Sequence, residues 1–263
     1  MLVISGDIRP DSAFALAERL FGGWARPPAP LPAPPAVRAA PSGASAVLVN
    51  VPDMAGATLA VAQPGVGLGD PDYFRALVAS TILGGGYTSR LSRQLRVNRP
   101  LAEELRTWVD ARRGGGLLYA TAATDSAASA PEIASALAGG LGDLARGGMA
   151  ADSELVLRRG FIVAQLAREV ETVEGLANRV GAMAARGVGP DRLNRTVQEL
   201  QEVDAADVRR FAGAHAAGTR VVVVGDARLM QAELRRRFPD LVVIYSGELD
   251  LGSVDLRRKP GGE

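Results

Sequence analysis

An arginine on a helix just beyond a run of glycines is the most chemically directed feature of this chain of 263 residues. Gly84-Gly85-Gly86 interrupts an apolar helix ending in Thr81-Ile82-Leu83, and the chain restarts at Tyr87 and continues to Arg96. Three consecutive glycines give up side-chain packing and cost backbone entropy, so they point to positive φ, close approach by another backbone, or movement. Thr88 and Ser89 are placed to cap the restarted helix, whose first turn offers unpaired N–H groups. From that helix Arg96 can aim a planar fork of donors at a peptide carbonyl, or at the oxyanion formed when water attacks one. The alternative is structural: Asn98 and Pro100 force a turn, and Arg96 then pairs with Glu103 or Glu104 beyond it.

Other chemistries are thinner. The glycine run follows a helix rather than a strand and lacks the Gly-Lys-Ser/Thr ending of a phosphate loop, which argues against nucleotide binding. A catalytic zinc needs three protein ligands and an open position. The chain has one histidine, His215, and no cysteine, so a histidine–carboxylate zinc site cannot be assembled from it. His215 falls late in a helix, where an imidazole commonly helps the C-terminal dipole or packs at the surface. Glu169, Glu171 and Glu174 sit near a helix junction and read as a solvated terminus. Glu103 and Glu104 are adjacent, so on a strand they face opposite ways and form no acid–base pair.

The segment from Leu83 to Arg96 resembles the second, zinc-free half of the pitrilysin/insulinase family of zinc metallopeptidases, the inverzincins. Leu83-Gly84-Gly85-Gly86, Ser89-Arg90-Leu91 and Leu95-Arg96 carry the likeness. The family pattern continues as Arg-x-x-x-Gly-Leu-x-Tyr; here Arg96 and Leu101 match, Pro100 replaces the glycine and Glu103 replaces the tyrosine. The resemblance implies no cofactor on this chain and a zinc-bearing partner half carrying His-x-x-Glu-His. It also implies that Arg96 reaches across a closed cleft to a peptide substrate held at the partner's zinc. On that basis Arg96, Gly84, Gly85, Gly86, Ser89 and Glu103 are the expected substrate-binding residues, with no catalytic or metal-binding residue of the chain's own. Two other readings are a degenerate scaffold half that stabilises its partner, and a stand-alone module offering a sheet edge to extended peptides.

Composition sets the frame. At 47% apolar residues the chain can bury a core, and a net charge of +1 gives no electrostatic case for nucleic acid or an anionic membrane. All but one of its 30 basic residues are arginine, which together with the alanine excess reads as compositional bias. The N-terminal apolar run is too short for a signal peptide, and no stretch reaches the roughly 20 apolar residues of a membrane helix. The expectation is a soluble chain, in bacterial cytoplasm or periplasm if it is part of a longer precursor.

Strand, Gly-Asp and helix occur twice, at residues 2–21 around Gly6-Asp7 and again around Gly225-Asp226, which suggests an internal duplication. The first copy is therefore expected to be the terminal strand and helix of a preceding domain (1–24), with apolar residues able to support self-association. Seven prolines between Arg26 and Pro41 mark an extended linker, taken as 25–44. The domain proper is expected over 45–246, with 247–263 a surface tail. Apolar runs at 46–51 and 58–63 read as strands, and 105–110 with 117–124 as a hairpin across Arg113-Gly114-Gly115-Gly116. Helices are expected over 131–146, 152–170, 173–186 and 190–202, with a fifth opened by Asp204, and a strand at 221–224 closes the domain. Strands, then helices, then a returning strand argue an α+β fold, a largely antiparallel sheet with helices on one face.

Overall fold

The computed structural model describes residues 1–25, 28–29, 44–147, 152–253 and 257–258. Almost all of the expected linker, and part of the expected tail, lie outside these.

The strands are β1 (Ala46–Asn50), β2 (Ala57–Gly65), β3 (Glu104–Arg112), β4 (Gly115–Thr124), β5 (Arg220–Gly225) and β6 (Val242–Tyr245). They form one sheet in the order β3-β4-β2-β5-β1-β6. Pairing is antiparallel from β3 through β5 and parallel from β5 through β1 to β6. Alternation in the sequence decides which face is covered: Leu59 and Val61, Leu118, Ala120 and Ala122, and Val221 and Val223 are buried under the helices. The sequence reading stops at the β5 strand. β6 extends the sheet by one parallel strand beside β1, and its signal, Val242-Val243-Ile244, is short enough to pass for a loop.

The helices are α1 (Pro10–Phe21), α2 (Tyr73–Gly84), α3 (Arg90–Ser92), α4 (Ala130–Ala145), α5 (Asp152–Val170), α6 (Val173–Ala185), α7 (Asp191–Gln201), α8 (Ala205–His215) and α9 (Ala227–Arg237). Between α3 and β3 lies one turn of π-helix, Arg93–Val97. α2 is buried along nearly its whole length, as its continuous apolar sequence requires. α8 opens on a reciprocal cap, with the Asp204 carboxylate accepting the Asp207 N–H at 2.7 Å and the Asp207 carboxylate accepting the Asp204 N–H at 3.2 Å.

The structure adds contacts near both ends of the described residues. Residues 2–5 pair with no strand among the described residues, and a lone extended segment needs a neighbour for its N–H and C=O groups. They lie beside α6 instead, Val3 near Gly181 and Gly6 near Val173, while Phe14, Leu20 and Trp24 face outward. At the other end the described part of the tail is tied down: Leu249 bridges Arg257, whose guanidinium donates to the Val243 carbonyl at 2.9 Å.

The second Gly-Asp copy shows why the motif suits a strand-to-helix junction. Asp226 is 2% exposed; its carboxylate caps α9 by accepting the Arg228 N–H at 2.9 Å and takes the Asp53 N–H at 2.9 Å from the turn after β1. The Arg228 guanidinium clasps both Asp226 and Asp53. Hydrogen bonds from Arg228, followed by the two backbone donors, hold the Asp226 carboxyl well below the usual carboxylate range. A depressed folded-state value means that the stabilisation is complete above the unfolded carboxylate's value, about pH 4, and is lost as pH falls through the depressed range. The melting temperature of Asp226→Asn is therefore expected to lie below the parent's at neutral pH, with the gap narrowing below about pH 4. A gap independent of pH would remove the ionised carboxylate from the account.

Candidate functional site

Each of the three glycines has its own cause. A side chain at Gly84 would sit 2.5 Å from Thr107 Cγ2, so its absence lets the end of α2 lie directly on β3. Thr107 fastens that contact by donating its hydroxyl to the Ser80 carbonyl at 2.6 Å. Gly86 has φ +154°, a conformation open to glycine and strained for other residues. At Gly85 a side chain would strike Thr81 one turn back.

Beyond the glycines the chain does not resume as a regular helix. α3 is a single short turn that passes into the π-turn, closed by the Asn98 N–H to the Arg93 carbonyl at 2.8 Å. Such turns are rare and recur at functional sites because they redirect one side chain without ending the helix. Here Leu95 is buried and Arg96 half-exposed. The Leu95 carbonyl accepts the N–H groups of both Leu101 and Ala102 at 2.9 Å, folding the chain back toward β3.

Arg96 lies over the Tyr87 ring, 5.5 Å from its centroid, and forms no ion pair among the described residues. The alternative, pairing with Glu103 or Glu104, is not formed among the described residues. Glu103 enters the sheet region through its own N–H, which donates to the Ala123 carbonyl at 2.9 Å, and its side chain is exposed. The two hydrogen bonds to the Leu95 carbonyl hold the turn, and Glu104, one residue later, lines with Arg96 a cleft of about 860 Å³. Gly84, Gly85, Gly86 and Tyr87 line this cleft with Arg96, as do residues 104–108 of β3 and Phe161 and Gln165 of α5.

Ser89 is elsewhere. It stands at the start of α3, but its side chain makes no capping bond and its hydroxyl is buried without a partner. The Ser92 hydroxyl is buried likewise. Nearby, Arg158 of α5, 3% exposed, donates to the Thr88 carbonyl at 2.8 Å and thereby clamps the glycine connection to α5. Burial lowers the Arg158 pKa from its ordinary value. Sequence reasoning missed the α5 wall: Phe161 and Gln165 sit one helical turn apart, which is visible, but nothing local says which element that face meets.

No three His, Asp or Glu side chains converge to hold a metal among the described residues. His215 Nδ1 lies 3.1 Å from the Pro64 carbonyl oxygen and its ring stacks on Phe211, both structural contacts. Glu169 faces Arg179 at 3.5 Å. The donor set therefore does not fit a catalytic zinc. No helix among the described residues is long and apolar enough to cross a membrane.

The described residues thus form a mixed sheet with helices on one face and a cleft at one edge, and no three His, Asp or Glu side chains among them are placed to hold a metal. The chain belongs to the family of the peptidase M16 inactive domain, whose model matches residues 1–154. Among solved structures it is similar to a protease from Helicobacter pylori, at 17% identity and a TM-score of 0.73 over 84% of this chain and 54% of that one. A peptidase M16 inactive domain from Pseudomonas fluorescens matches at 20% identity and TM-score 0.69 over 84% of this chain and 52% of the other. A chain of complex III2 from Candida albicans, with Inz-5 bound, matches at 14% and 0.64 over 76% and 50%. The chain thus spans about half the length of the solved chains it matches. No curated protein matches it in sequence.

Proposed function

We propose that this chain is the zinc-free half of a pitrilysin/insulinase-type metallopeptidase assembly, forming one wall of a peptide-binding chamber and positioning substrate opposite a zinc-bearing half. The observation that carries this reading is Arg96: a half-exposed guanidinium on a cleft wall, steadied by Tyr87 and paired with no carboxylate among the described residues. An arginine kept only for stability would be expected to have a carboxylate partner. One left free, beside a glycine connection that admits close approach, suits a peptide carbonyl. The zinc belongs to the partner, which supplies the activated water; this chain's residues hold and orient the peptide. Residues 1–24, with their exposed apolar side chains, would complete a preceding domain's sheet or associate with a second copy.

Reconstitution tests the proposal. The chain is mixed with a zinc-bearing half carrying His-x-x-Glu-His, and cleavage of an internally quenched peptide is followed. Turnover is expected from the pair and not from this chain alone, with zinc recovered on the partner. Hydrolysis by this chain alone, lost on chelation, would overturn the assignment.

A further inference from the structure

The cleft touches five consecutive residues of β3, and β3 is the outermost strand of the sheet. Consecutive strand residues alternate between faces, so a cleft that meets all of 104–108 spans the strand's free edge, and with Thr121 of β4 opposite Arg106 it reaches onto the sheet face as well. Leu105 and Thr107 turn toward α2, while Glu104, Arg106 and Trp108 turn to the uncovered face and are exposed. These three stand in a row at two-residue spacing and differ in chemistry: acid, base, aromatic.

The three differ in how far the fold uses them: the two charged side chains are unpaired among the described residues, and the aromatic one is stacked yet still partly exposed. Glu104 and Arg106 form no ion pair among the described residues, although they are neighbours on one face. Trp108 stacks on Tyr119, its directly opposite residue on β4, with centroids 5.2 Å apart and planes 22° apart. Even so, Trp108 remains 43% exposed. The stack forms an aromatic platform near the sheet edge, with Trp108 facing the cleft.

We infer that the cleft takes an extended peptide, added as a strand along β3, that carries an aromatic residue, an acidic residue two positions away and a basic residue four positions away. The inference rests on the peptide-wall reading above and names its substrate class. Directly opposed side chains on adjacent strands are neighbours about 5 Å apart, and aromatic pairs and opposite charges are the favourable combinations. Across from Trp108 an aromatic ring extends the stack, across from Arg106 a carboxylate answers the free guanidinium, and across from Glu104 an ammonium or guanidinium does the reverse. Parallel and antiparallel addition give the same set of three in opposite orders. Main-chain hydrogen bonds would supply affinity, and this row the discrimination.

Fluorescence anisotropy of labelled threonine-rich heptapeptides tests this with the full chain. Two peptides carry Phe, Glu and Lys at alternate positions, one in each order; a control exchanges Glu and Lys and leaves Phe in place. One matched order is expected to bind about tenfold more tightly than the control. The double variant Glu104→Arg/Arg106→Glu is expected to reverse that preference. Trp108→Ala should abolish the advantage of Phe over Ala in the matched peptide, with unchanged circular dichroism confirming the fold. Equal binding of matched and exchanged peptides would overturn the inference while leaving a peptide-binding wall in place. Binding of no peptide would overturn both, and would make the charges on β3 a guard against edge-to-edge pairing.

Discussion

Replacing Arg96 by alanine in the reconstituted pair is expected to lower peptide turnover about a hundredfold, in the range found when an oxyanion donor is deleted, with the melting temperature of the chain unchanged. The stability half of this expectation follows from the contacts. Arg96 is half-exposed, lies over one exposed ring and has no carboxylate to leave behind among the described residues. Such side chains usually change stability by no more than about 0.5 kcal/mol when removed. The activity half follows from the freedom of the guanidinium to meet a carbonyl in the cleft. If the contact forms only as charge develops on that oxygen, kcat falls; if it grips the ground-state peptide, KM rises. Arg96→Lys is expected to recover little, because an ammonium offers a point charge without the planar pair of donors. Turnover unchanged in Arg96→Ala, with the pair still assembled, would reduce this half to a scaffold.

Most of the fold was legible because its elements satisfy their own local rules. The α4 to α8 series lies within a residue or two of the expected spans wherever it begins on a cap or a proline and ends in a polar run, and the hairpin turns at Gly114 with φ +79°. The unreadable parts depended on partners. Residues 2–5 have the composition of a strand, yet pairing is decided by whether a neighbouring strand is available, and composition does not encode that. The stretch at 93–97 has ordinary helical residues, and the π-turn arises from the return of Leu101 and Ala102 to the Leu95 carbonyl.

The site divides in the same way. The glycines and Arg96 were visible as a local motif. Glu103 holds the motif's tyrosine position, and of the two adjacent glutamates it is Glu104 that lines the cleft. A motif counted along the sequence names a stretch, whereas which of two adjacent side chains meets a cleft is decided by how the strand packs in three dimensions. Phe161 and Gln165 came from a helix more than sixty residues away, and only tertiary packing could bring them there.

Leu95→Ala is expected to damage both folding and function. Leu95 is fully buried in the core. Truncating a buried leucine removes its transfer free energy and leaves a cavity, typically costing 2 to 5 kcal/mol, or about 3 here. In a chain of this length that corresponds to a fall of roughly 6 to 12 °C in melting temperature. The functional consequence comes from position: Leu95 anchors the π-turn from which Arg96 projects, and its carbonyl holds the return to β3. With that anchor shortened, the guanidinium should lose its fixed placement in the cleft, and turnover should fall well below the transition as well as through it. Leu95→Met, which keeps the volume, should cost less than about 1.5 kcal/mol and preserve turnover. Leu234→Ala supplies the comparison, because Leu234 is equally buried but lies on α9 and does not line the cleft. A similar loss of stability with full turnover in Leu234→Ala, against lost turnover in Leu95→Ala at the same temperature, would assign the effect to Arg96 placement. Equal turnover in both variants would mean that the π-turn positions nothing the reaction uses.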